Sequence, residues 1–351
     1  MRIAVVSPLI ESVPPTLYGG TERVVSYLTE ELVALGHDVT LFASGDSTTR
    51  ARLVPCCERA LRLDPRVSDY TPHHLLLMQQ VHEQADAFDI LHFHIDYLHY
   101  PLFARRAWRT LTTLHGRQDL WDPRPLYRRF PQMPLVSISD AQREPLRDLP
   151  LCWAGTVHHG LPIDLYRPST AHRGYALFLG RIAPEKRPDR AIRIARRAGV
   201  PLKIAAKVDR ADRRYFEEVI VPLLKLPGIE FLGEVDDRGK QELLAGAAAL
   251  LFPIDWPEPF GLVMIEAMAC GTPVIAWRCG SVPEIVEPGV TGWIVGSEEE
   301  AARALGSADL LDRRRVRARF EARFTARRMA LDYLAIYERL AGAARPQLSV
   351  A

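Results

Sequence analysis

Short apolar runs recur along the whole chain and alternate with stretches of helical periodicity. This alternation is typical of parallel β-sheets that helices cover on both faces. Twelve such runs are too many for one ordinary sheet. We therefore predict an α/β protein with two doubly wound, Rossmann-like parallel-sheet domains that face each other across a cleft. The runs are 2–7, 38–43, 89–95, 110–115, 135–138, 155–158, 175–180, 202–208, 229–233, 249–253, 273–277 and 291–295.

A linker is expected between the two groups of runs. The chain has 351 residues, which suits two domains. Segment 160–168 contains a glycine and two prolines, which are typical of a connection. We predict a first domain over 1–165, a second over 170–325, and a C-terminal helix over 326–345 that covers its own domain or crosses back to the first.

The segment 313–328 carries eight arginines. A solvated basic helix face is the ordinary interpretation of such a run. Contact with anionic lipid or with an acidic partner is the alternative.

The composition excludes several classes of protein. With 48% hydrophobic and 25% charged residues, the chain is not intrinsically disordered, and a net charge of +2 gives no indication of nucleic-acid binding. The five cysteines lack CxxC spacing, which argues against a structural zinc site and fits a reducing compartment. No apolar run approaches the ~18 residues of a membrane span, and the start of the chain resembles a strand rather than a signal peptide. We therefore expect a cytoplasmic protein, with peripheral contact to the inner membrane face as a further possibility.

Ligands of open parallel sheets bind beyond the carboxyl ends of the strands, so the segments after the strands are the places to search. After the first strand, Gly19 and Gly20 precede a helix, where they permit close backbone approach to a ligand. The spacing is not G-x-G-x-x-G, and by itself it is also compatible with an ordinary loop.

Two cations flank the loop after the first strand of the second half. Arg181 lies at the strand tip and Lys186 precedes a helix that Pro188 can open. A guanidinium and an ammonium at one βα loop suit a diphosphate. Lys186 is one of only five lysines in the chain, which favours a function for it over a chance surface position.

The segment 256–273 is the most specific. Prolines at 257 and 259 keep its start extended, and a helix can then run from Gly261 to Cys270. The positive N-terminus of that helix is a candidate anion site. Glu258 precedes the helix and Glu266 lies about 7 Å along its axis, at 1.5 Å per residue. Two carboxylates in so apolar a segment need partners.

One histidine is a candidate for the same region. His115 follows a strand and precedes a glycine, where it could donate a hydrogen bond to a ligand. His92 and His94 share one face of their strand, but no third ligand at metal-site spacing accompanies them, so we predict no metal site.

These segments resemble glycosyltransferase family 4, a family of retaining, nucleotide-sugar-dependent enzymes with the GT-B architecture. The Glu258 to Glu266 segment, the Arg181 to Lys186 loop, the Gly19–Gly20 loop and the strand end at His115 carry the resemblance, which extends over nearly the whole chain.

The resemblance implies a role for each matching position. Arg181 and Lys186 neutralise the departing diphosphate, and Glu266 holds the ribose hydroxyls. Glu258, with the backbone of Phe260, Gly261 and Leu262, binds the donor sugar and the distal phosphate. Gly19 and Gly20 approach the phosphates, His115 contacts the donor sugar, and the base lies near Val235. Residues Arg181, Lys186, Glu258 and His115 form the catalytic set.

The resemblance also implies a metal-independent hexosyltransferase without a further cofactor. The co-substrate is a nucleotide sugar, with a UDP-sugar such as UDP-glucose as the first expectation and a GDP-sugar as the second. The acceptor hydroxyl can belong to a small molecule, a glycan or a lipid, and segment 121–134 could contact it or a membrane surface. A nucleotide-sugar epimerase of the same architecture and an inactive nucleotide-binding subunit remain alternatives.

Overall fold

The computed structural model describes residues 1–16 and 19–342, and Leu17, Tyr18 and residues 343–351 lie outside the described residues. The described chain forms two compact units. The first contains Met1–Gly160 and the helix that begins at Ala326, and the second contains Leu161–Thr325. Residues 161–165, which the sequence analysis assigned to the first domain, therefore belong to the second, because Leu161 pairs with Thr325 and its N–H donates to the Phe324 carbonyl.

The first unit is built on a parallel sheet of seven strands among the described residues, in the order β3-β2-β1-β4-β5-β6-β7. Its strands are β1 (Arg2–Val6), β2 (Asp38–Ser44), β3 (Arg52–Cys57), β4 (Ile90–Phe93), β5 (Thr110–Thr113), β6 (Leu135–Ser137) and β7 (Trp153–Thr156). Its α-helices before the linker are α1 (Gly20–Ala34), α2 (Thr71–Gln84), α3 (Tyr100–Phe103) and α4 (Arg124–Arg129).

The second unit has a parallel sheet of six strands in the order β10-β9-β8-β11-β12-β13. Its strands are β8 (Tyr175–Arg181), β9 (Leu202–Lys207), β10 (Ile229–Gly233), β11 (Ala247–Phe252), β12 (Val274–Trp277) and β13 (Gly292–Val295). Its α-helices are α5 (Pro188–Ala198), α6 (Arg213–Tyr215), α7 (Val221–Leu224), α8 (Asp237–Gly246), α9 (Leu262–Ala269), α10 (Val282–Ile285), α11 (Glu298–Gly306) and α12 (Arg313–Arg323).

Both sheets have the doubly wound strand order. In each, the first strand lies at the centre and the chain then winds outward to one side before it returns to build the other. The order reverses between β1 and β4 in the first unit and between β8 and β11 in the second. Ligands of such sheets bind where the order reverses, outside the carboxyl ends of the strands. The predicted doubly wound α/β class is confirmed.

The strand β3 was missed in the sequence. Its six residues include Pro55, which has no N–H to contribute to a ladder and argues against a central strand. The structure places β3 at the edge of the sheet, where it pairs with β2 alone. A proline is tolerated at an edge, and the half-buried side chains of β3 gave only a weak apolar signal.

The C-terminal helix α13 (Ala326–Gly342) belongs to the first unit. Its apolar stripe packs against the sheet, with Tyr333 and Tyr337 fully buried. The Tyr337 hydroxyl contacts His92 Nδ1 at 2.7 Å and the Tyr333 hydroxyl contacts Thr113 Oγ1 at 2.9 Å. A helix at the end of the second unit in sequence thus completes the core of the first.

The basic segment is not a simple solvated face. Arg313 is buried and donates to the carbonyl groups of Ser169, Ala245 and Ala247 and to Thr272 Oγ1. Other arginines of the segment also bond within their own units: Arg317 to three carbonyl groups, Arg319 and Arg323 to Glu287, and Arg328 to Asp332. Buried carbonyl groups need donors, and α12 supplies them. The described helices include none with the length and apolarity that a bilayer crossing requires.

Candidate active site

Arg181 is the last residue of β8, where its guanidinium meets three carboxylates. Its distances are 2.6 Å to Glu185, 3.3 Å to Asp212 and 3.7 Å to Asp209. The sequence predicted Arg181 at the strand tip, but it did not predict this acidic surrounding. The guanidinium is therefore held by carboxylates of the chain itself.

Lys186 and Glu258 come from the loops that follow β8 and β11, the two strands at which the sheet order reverses. Lys186 Nζ donates to Glu258 Oε2 and lies 4.6 Å from the centre of the Trp256 ring. Trp256 Nε1 donates to the same carboxylate oxygen at 3.1 Å. A cation–π contact and a charge-assisted hydrogen bond thus fix both charged groups.

The loop before α9 is clamped to its neighbour. Ser281 N donates to the Glu258 carbonyl at 3.0 Å and Ser281 Oγ donates to the Phe260 carbonyl at 2.7 Å. Gly280 lies against the Glu258 backbone so closely that a Cβ there would come within 2.3 Å of the carbonyl oxygen. The backbone of this loop is therefore preorganised.

The helix α9 begins directly after this clamped loop. Gly261, its N-cap, has φ 80° and offers no capping side chain, so it leaves the first N–H groups of the helix uncapped, including that of Leu262. Phe260 is buried and packs edge-on against Phe324. The predicted helix over 261–270 is one residue shorter at each end in the structure, with Gly271 in the left-handed conformation that follows a helix.

Glu266 lies on the buried side of α9 and is 5% exposed. Its Oε1 accepts from Lys240 Nζ at 3.0 Å and from the Tyr166 hydroxyl at 3.3 Å. The predicted carboxylate therefore faces protein groups rather than open solvent. Lys240 and Tyr166 are site residues that the sequence analysis missed.

Val235 lies in the connection between β10 and α8, and α8 carries Lys240, the lysine that contacts Glu266. The Val235 side chain is half-buried and packs beside Gly239, where an added Cβ would lie 3.3 Å from it. The Gly239 N–H donates at 2.8 Å to Asp236, the N-cap residue of α8. Lys240 follows on the same helix. Val235 and Glu266 are thus connected through α8.

In the first unit, Gly19 and Gly20 form the start of α1. Gly19 has φ 146°, and a Cβ there would lie 2.8 Å from Pro15. Any larger residue would therefore clash and strain the turn. Tyr18, the residue before the pair, is outside the described residues.

His115 belongs to a group of stacked histidines at the carboxyl ends of β4 and β5. Its Nε2 lies 2.8 Å from His94 Nδ1, and its ring stacks on His159 with centroids 5.3 Å apart. His94 in turn lies 4.1 Å from the His92 ring. Burial lowers the pKa of His115 to about 3, so the ring is neutral in the folded protein.

The described residues contain no group of three or more histidine, cysteine or acidic side chains arranged to hold a metal ion. Among the predicted site residues of the second unit, the positive groups are Arg181, Lys186 and the uncapped start of α9. Cations beside a helix N-terminus can bind a phosphate-bearing ligand and stabilise charge that develops on it.

Two family models match the chain. One, described as Glycosyltransferase Family 4, matches residues 18–149, and the other, described as Glycosyl transferases group 1, matches residues 167–326. Together the two ranges take in most of both units. The chain belongs to glycosyltransferase family 4.

The relatives of this family 4 protein include a D-inositol 3-phosphate glycosyltransferase from Mycobacterium bovis. The two are 32% identical over an alignment of 158 residues, and the match covers 41% of this chain and 33% of the relative. The chain thus matches only about a third of the length of that curated relative.

Solved structures show the same fold over nearly the whole chain. AviGT4, a glycosyltransferase involved in avilamycin A biosynthesis, is 24% identical with a TM-score of 0.74, and the match covers 98% of this chain and 99% of that one. Anabaena HepE in complex with UDP and glucose is 20% identical with a TM-score of 0.72, covering 97% and 100%. At these identities the likeness is one of fold, and it is the GT-B fold.

The structure brings together part of the predicted set in the second unit of this family 4 protein. Lys186, Glu258, Phe260, Gly261 and Leu262 meet around the start of α9. Asp209, Asp212, Lys240, Tyr166 and His94 were missed. Lys240 had a usable signal, because it is one of the same five lysines whose scarcity drew attention to Lys186.

Proposed function

We propose that the protein is a retaining glycosyltransferase. It moves a hexose from a nucleoside-diphosphate sugar to a hydroxyl group of an acceptor. A UDP-sugar is the first candidate donor and a GDP-sugar the second. Anabaena HepE, which shares the fold, was solved in complex with UDP and glucose, and this supports the choice of UDP-glucose as the first probe.

The observation that carries the proposal is the arrangement around the start of α9. Lys186 and the uncapped N–H groups of the helix provide positive charge on two sides of one small region, and the Ser281 contacts hold the loop between them. A diphosphate has the charge and the acceptor oxygens to satisfy both. Arg181, at the end of β8, adds a second cation.

The remaining residues are assigned around that diphosphate. Glu266 accepts hydrogen bonds from the ribose hydroxyls through the carboxylate oxygen that Lys240 and Tyr166 leave open. The backbone near Val235 lies against the base. Gly19 and Gly20 permit close approach to the phosphates, and His115 contacts the donor sugar.

The charges explain how the reaction would be accelerated without a metal. Negative charge grows on the diphosphate as the bond to the sugar breaks, and Arg181, Lys186 and the helix N-terminus stabilise it where it forms. The acceptor hydroxyl adds to the anomeric carbon on the face that the diphosphate leaves, and a departing phosphate oxygen takes the hydroxyl proton. The configuration at the anomeric carbon is then retained.

The structure offers little support for a double displacement. That route needs a free carboxylate nucleophile at the anomeric carbon. Glu258 is the carboxylate that the resemblance places at the donor sugar, and its Oε2 accepts from both Lys186 Nζ and Trp256 Nε1. We therefore assign Glu258 to sugar binding and to the orientation of Lys186.

Product analysis tests the proposal and its alternatives. The protein is incubated with UDP-glucose or GDP-glucose and a panel of polyol phosphates, sugars and lipid-linked acceptors, and the products are examined by NMR. A glycosyltransferase releases nucleoside diphosphate in proportion to an α-linked product. An epimerase yields an epimeric nucleotide sugar without nucleotide release. Binding of the donor with neither product supports an inactive subunit.

Two further properties are proposals of the same kind. The exposed Trp121 lies within 6 Å of the guanidinium carbons of Arg124 and Arg128, at 5.8 and 5.9 Å. This patch suits an acceptor or the headgroups of an anionic membrane. Cytoplasmic location and peripheral membrane contact remain predictions, which fractionation of the expressing cells would test.

A further inference from the structure

The proposed function leaves one close contact in the first unit without a role. His94 Nδ1 and His115 Nε2 are 2.8 Å apart. His94 follows β4 and His115 follows β5, and these strands pair in parallel register at Phe93 and Thr112. The main-chain N–H of His94 also donates to the Val6 carbonyl at 2.9 Å. The backbone on both sides of the contact is therefore fixed by the sheet.

The rings themselves have little freedom. His94 is 3% exposed and lies 4.1 Å from the His92 ring, which contacts Tyr337 and Thr113 through its two nitrogens. On the other side, His159 stacks on His115 with an interplanar angle of 18°. The pair is enclosed by rings on two sides.

Both rings are neutral in the fold, because burial lowers the pKa of His115 and, together with neighbouring histidines, that of His94. A neutral imidazole carries one N–H and one bare nitrogen. A hydrogen bond between His94 Nδ1 and His115 Nε2 therefore requires the proton to be on one of these two atoms and absent from the other.

The other nitrogen of His94 decides between the two arrangements. His94 Nε2 is buried and has no hydrogen-bond partner among the described residues. If His115 donated, His94 would carry its proton on Nε2, as a buried donor with no acceptor. Orphaned buried N–H groups are rarer than acceptors that are not fully used. The arrangement in which His94 Nδ1 donates is therefore favoured.

We propose that His94 is a positioning residue that fixes the tautomer of His115. With its Nε2 accepting from His94, His115 carries its proton on Nδ1. That atom makes no hydrogen bond within the described part of the chain, so it is available to donate to an oxygen of the donor sugar. The sugar contact rests on the proposed function, whereas the tautomer does not.

The experiment has two readouts. The first is the tautomer of His115 in the free, ¹⁵N-labelled protein, measured by long-range ¹H–¹⁵N NMR. The second is the ratio of the Kd of UDP to that of UDP-glucose, because this ratio isolates the contribution of the sugar. GDP and GDP-glucose replace this pair if the wild type binds them instead.

The variants separate positioning from packing. His94→Phe keeps the ring and removes the donor, whereas His94→Asn keeps an N–H close to the position of Nδ1. His99→Phe is the matched control, because His99 is fully buried and stacks on Phe93 at 3.8 Å. His115→Phe, alone and combined with His94→Phe, completes a double-mutant cycle.

We expect the wild type to show the proton on His115 Nδ1. His94→Phe should lower the ratio of the Kd of UDP to that of UDP-glucose about tenfold, because one hydrogen bond to the sugar is lost. His94→Asn should restore this ratio to within about threefold of the wild-type value. The double variant should lose no more than His115→Phe alone, and His99→Phe should keep the wild-type ratio.

Two results would overturn the proposal: a proton on His115 Nε2 in the wild type, or a His94→Phe ratio equal to that of the wild type. Failure of the proposed function would give a different result from failure of the tautomer proposal. A wild type that binds no nucleotide sugar disproves the donor site, and the tautomer is still read independently from the free protein.

Discussion

Lys186 and Glu258 form an ion pair between the loops after β8 and β11, with their side chains 20% and 11% exposed. Lys186 was expected to neutralise the diphosphate, and Glu258 to bind the sugar and the distal phosphate. In the structure each is also the partner of the other. A ligand phosphate would therefore meet a lysine that is already oriented, which lowers the cost of ordering it on binding.

Removal of Lys186 should have two effects. Lys186→Met leaves the Glu258 carboxylate with only Trp256 Nε1 as a partner, so we expect a loss of about 1–3 kcal/mol in the free energy of unfolding. Affinity for UDP should fall at least about tenfold, because a phosphate contact is lost. Urea denaturation and calorimetric titration measure these quantities. Glu258→Gln should cost less stability, since Lys186 can turn to solvent; the reverse order would contradict the described pairing.

Arg181→Ala should reduce turnover far more than it reduces stability. The ion pairs of Arg181 are partly exposed, and such pairs contribute only about 0–1 kcal/mol. In the proposed reaction its charge matters most when the diphosphate departs, so we expect kcat to fall about a hundredfold with a smaller change in KM. Arg214→Ala is the control, because Arg214 makes an exposed ion pair with Glu218. Normal turnover of Arg181→Ala would remove this residue from the mechanism.

Stability should fall as the pH drops below about 6.5. Burial lowers the pKa of His92, His94, His99, His115 and His159, to about 3 for His92 and His115. Below about pH 6.5 the unfolded chain therefore binds more protons than the folded chain, so the free energy of unfolding decreases as the pH falls.

Some carboxyl groups oppose this trend. Burial raises the pKa of Glu22 to about 7 and that of Asp96 to about 6, so their contributions to stability are greatest at low pH and are lost as the pH rises towards these values. The five buried histidines outweigh these carboxyl groups. Urea midpoints at pH 7.5, 6.5, 5.5 and 4.5 should decline steadily below 6.5. A constant midpoint over this range would show that the histidines are accessible and titrate normally.

Arg313→Ala should destabilise the second unit by about 2–4 kcal/mol. Its guanidinium donates to three carbonyl groups and to Thr272 Oγ1, and buried acceptors that lose a charged donor are costly. The adjacent Arg314 is exposed, so Arg314→Ala is a matched control that should change stability by less than about 0.5 kcal/mol. Equal thermal midpoints for the two variants would show that Arg313 is solvated, as the sequence first indicated.

The elements that the sequence predicted are those with one clear physical signal. Buried parallel strands are nearly continuous apolar runs, so β1 and β8 were found within a residue or two. The helix α9 was found because proline and glycine mark both of its ends. The edge strand β3 was missed because Pro55 argues against a strand unless its position at the edge is known.

The candidate site was predicted less completely, because partners distant in sequence leave no local signal. Nothing near Glu266 indicates that Lys240 and Tyr166 contact its carboxylate. Nothing near Arg313 shows that it donates to carbonyl groups more than 60 residues away. A count of arginines in a segment predicts charge, whereas the fold decides which of them are buried.

Calorimetric titration of UDP-glucose, and of GDP-glucose in parallel, into the wild type and Glu266→Gln tests the central claim most directly. The claim is that α9 holds the diphosphate at its start and the ribose at Glu266. We predict that the wild type binds one of the two donors and that Glu266→Gln binds the same donor at least about tenfold more weakly. The control Glu218→Gln, at an exposed position, should keep the wild-type affinity. Equal affinity of the wild type and Glu266→Gln, or no binding of either donor by the wild type, would contradict it.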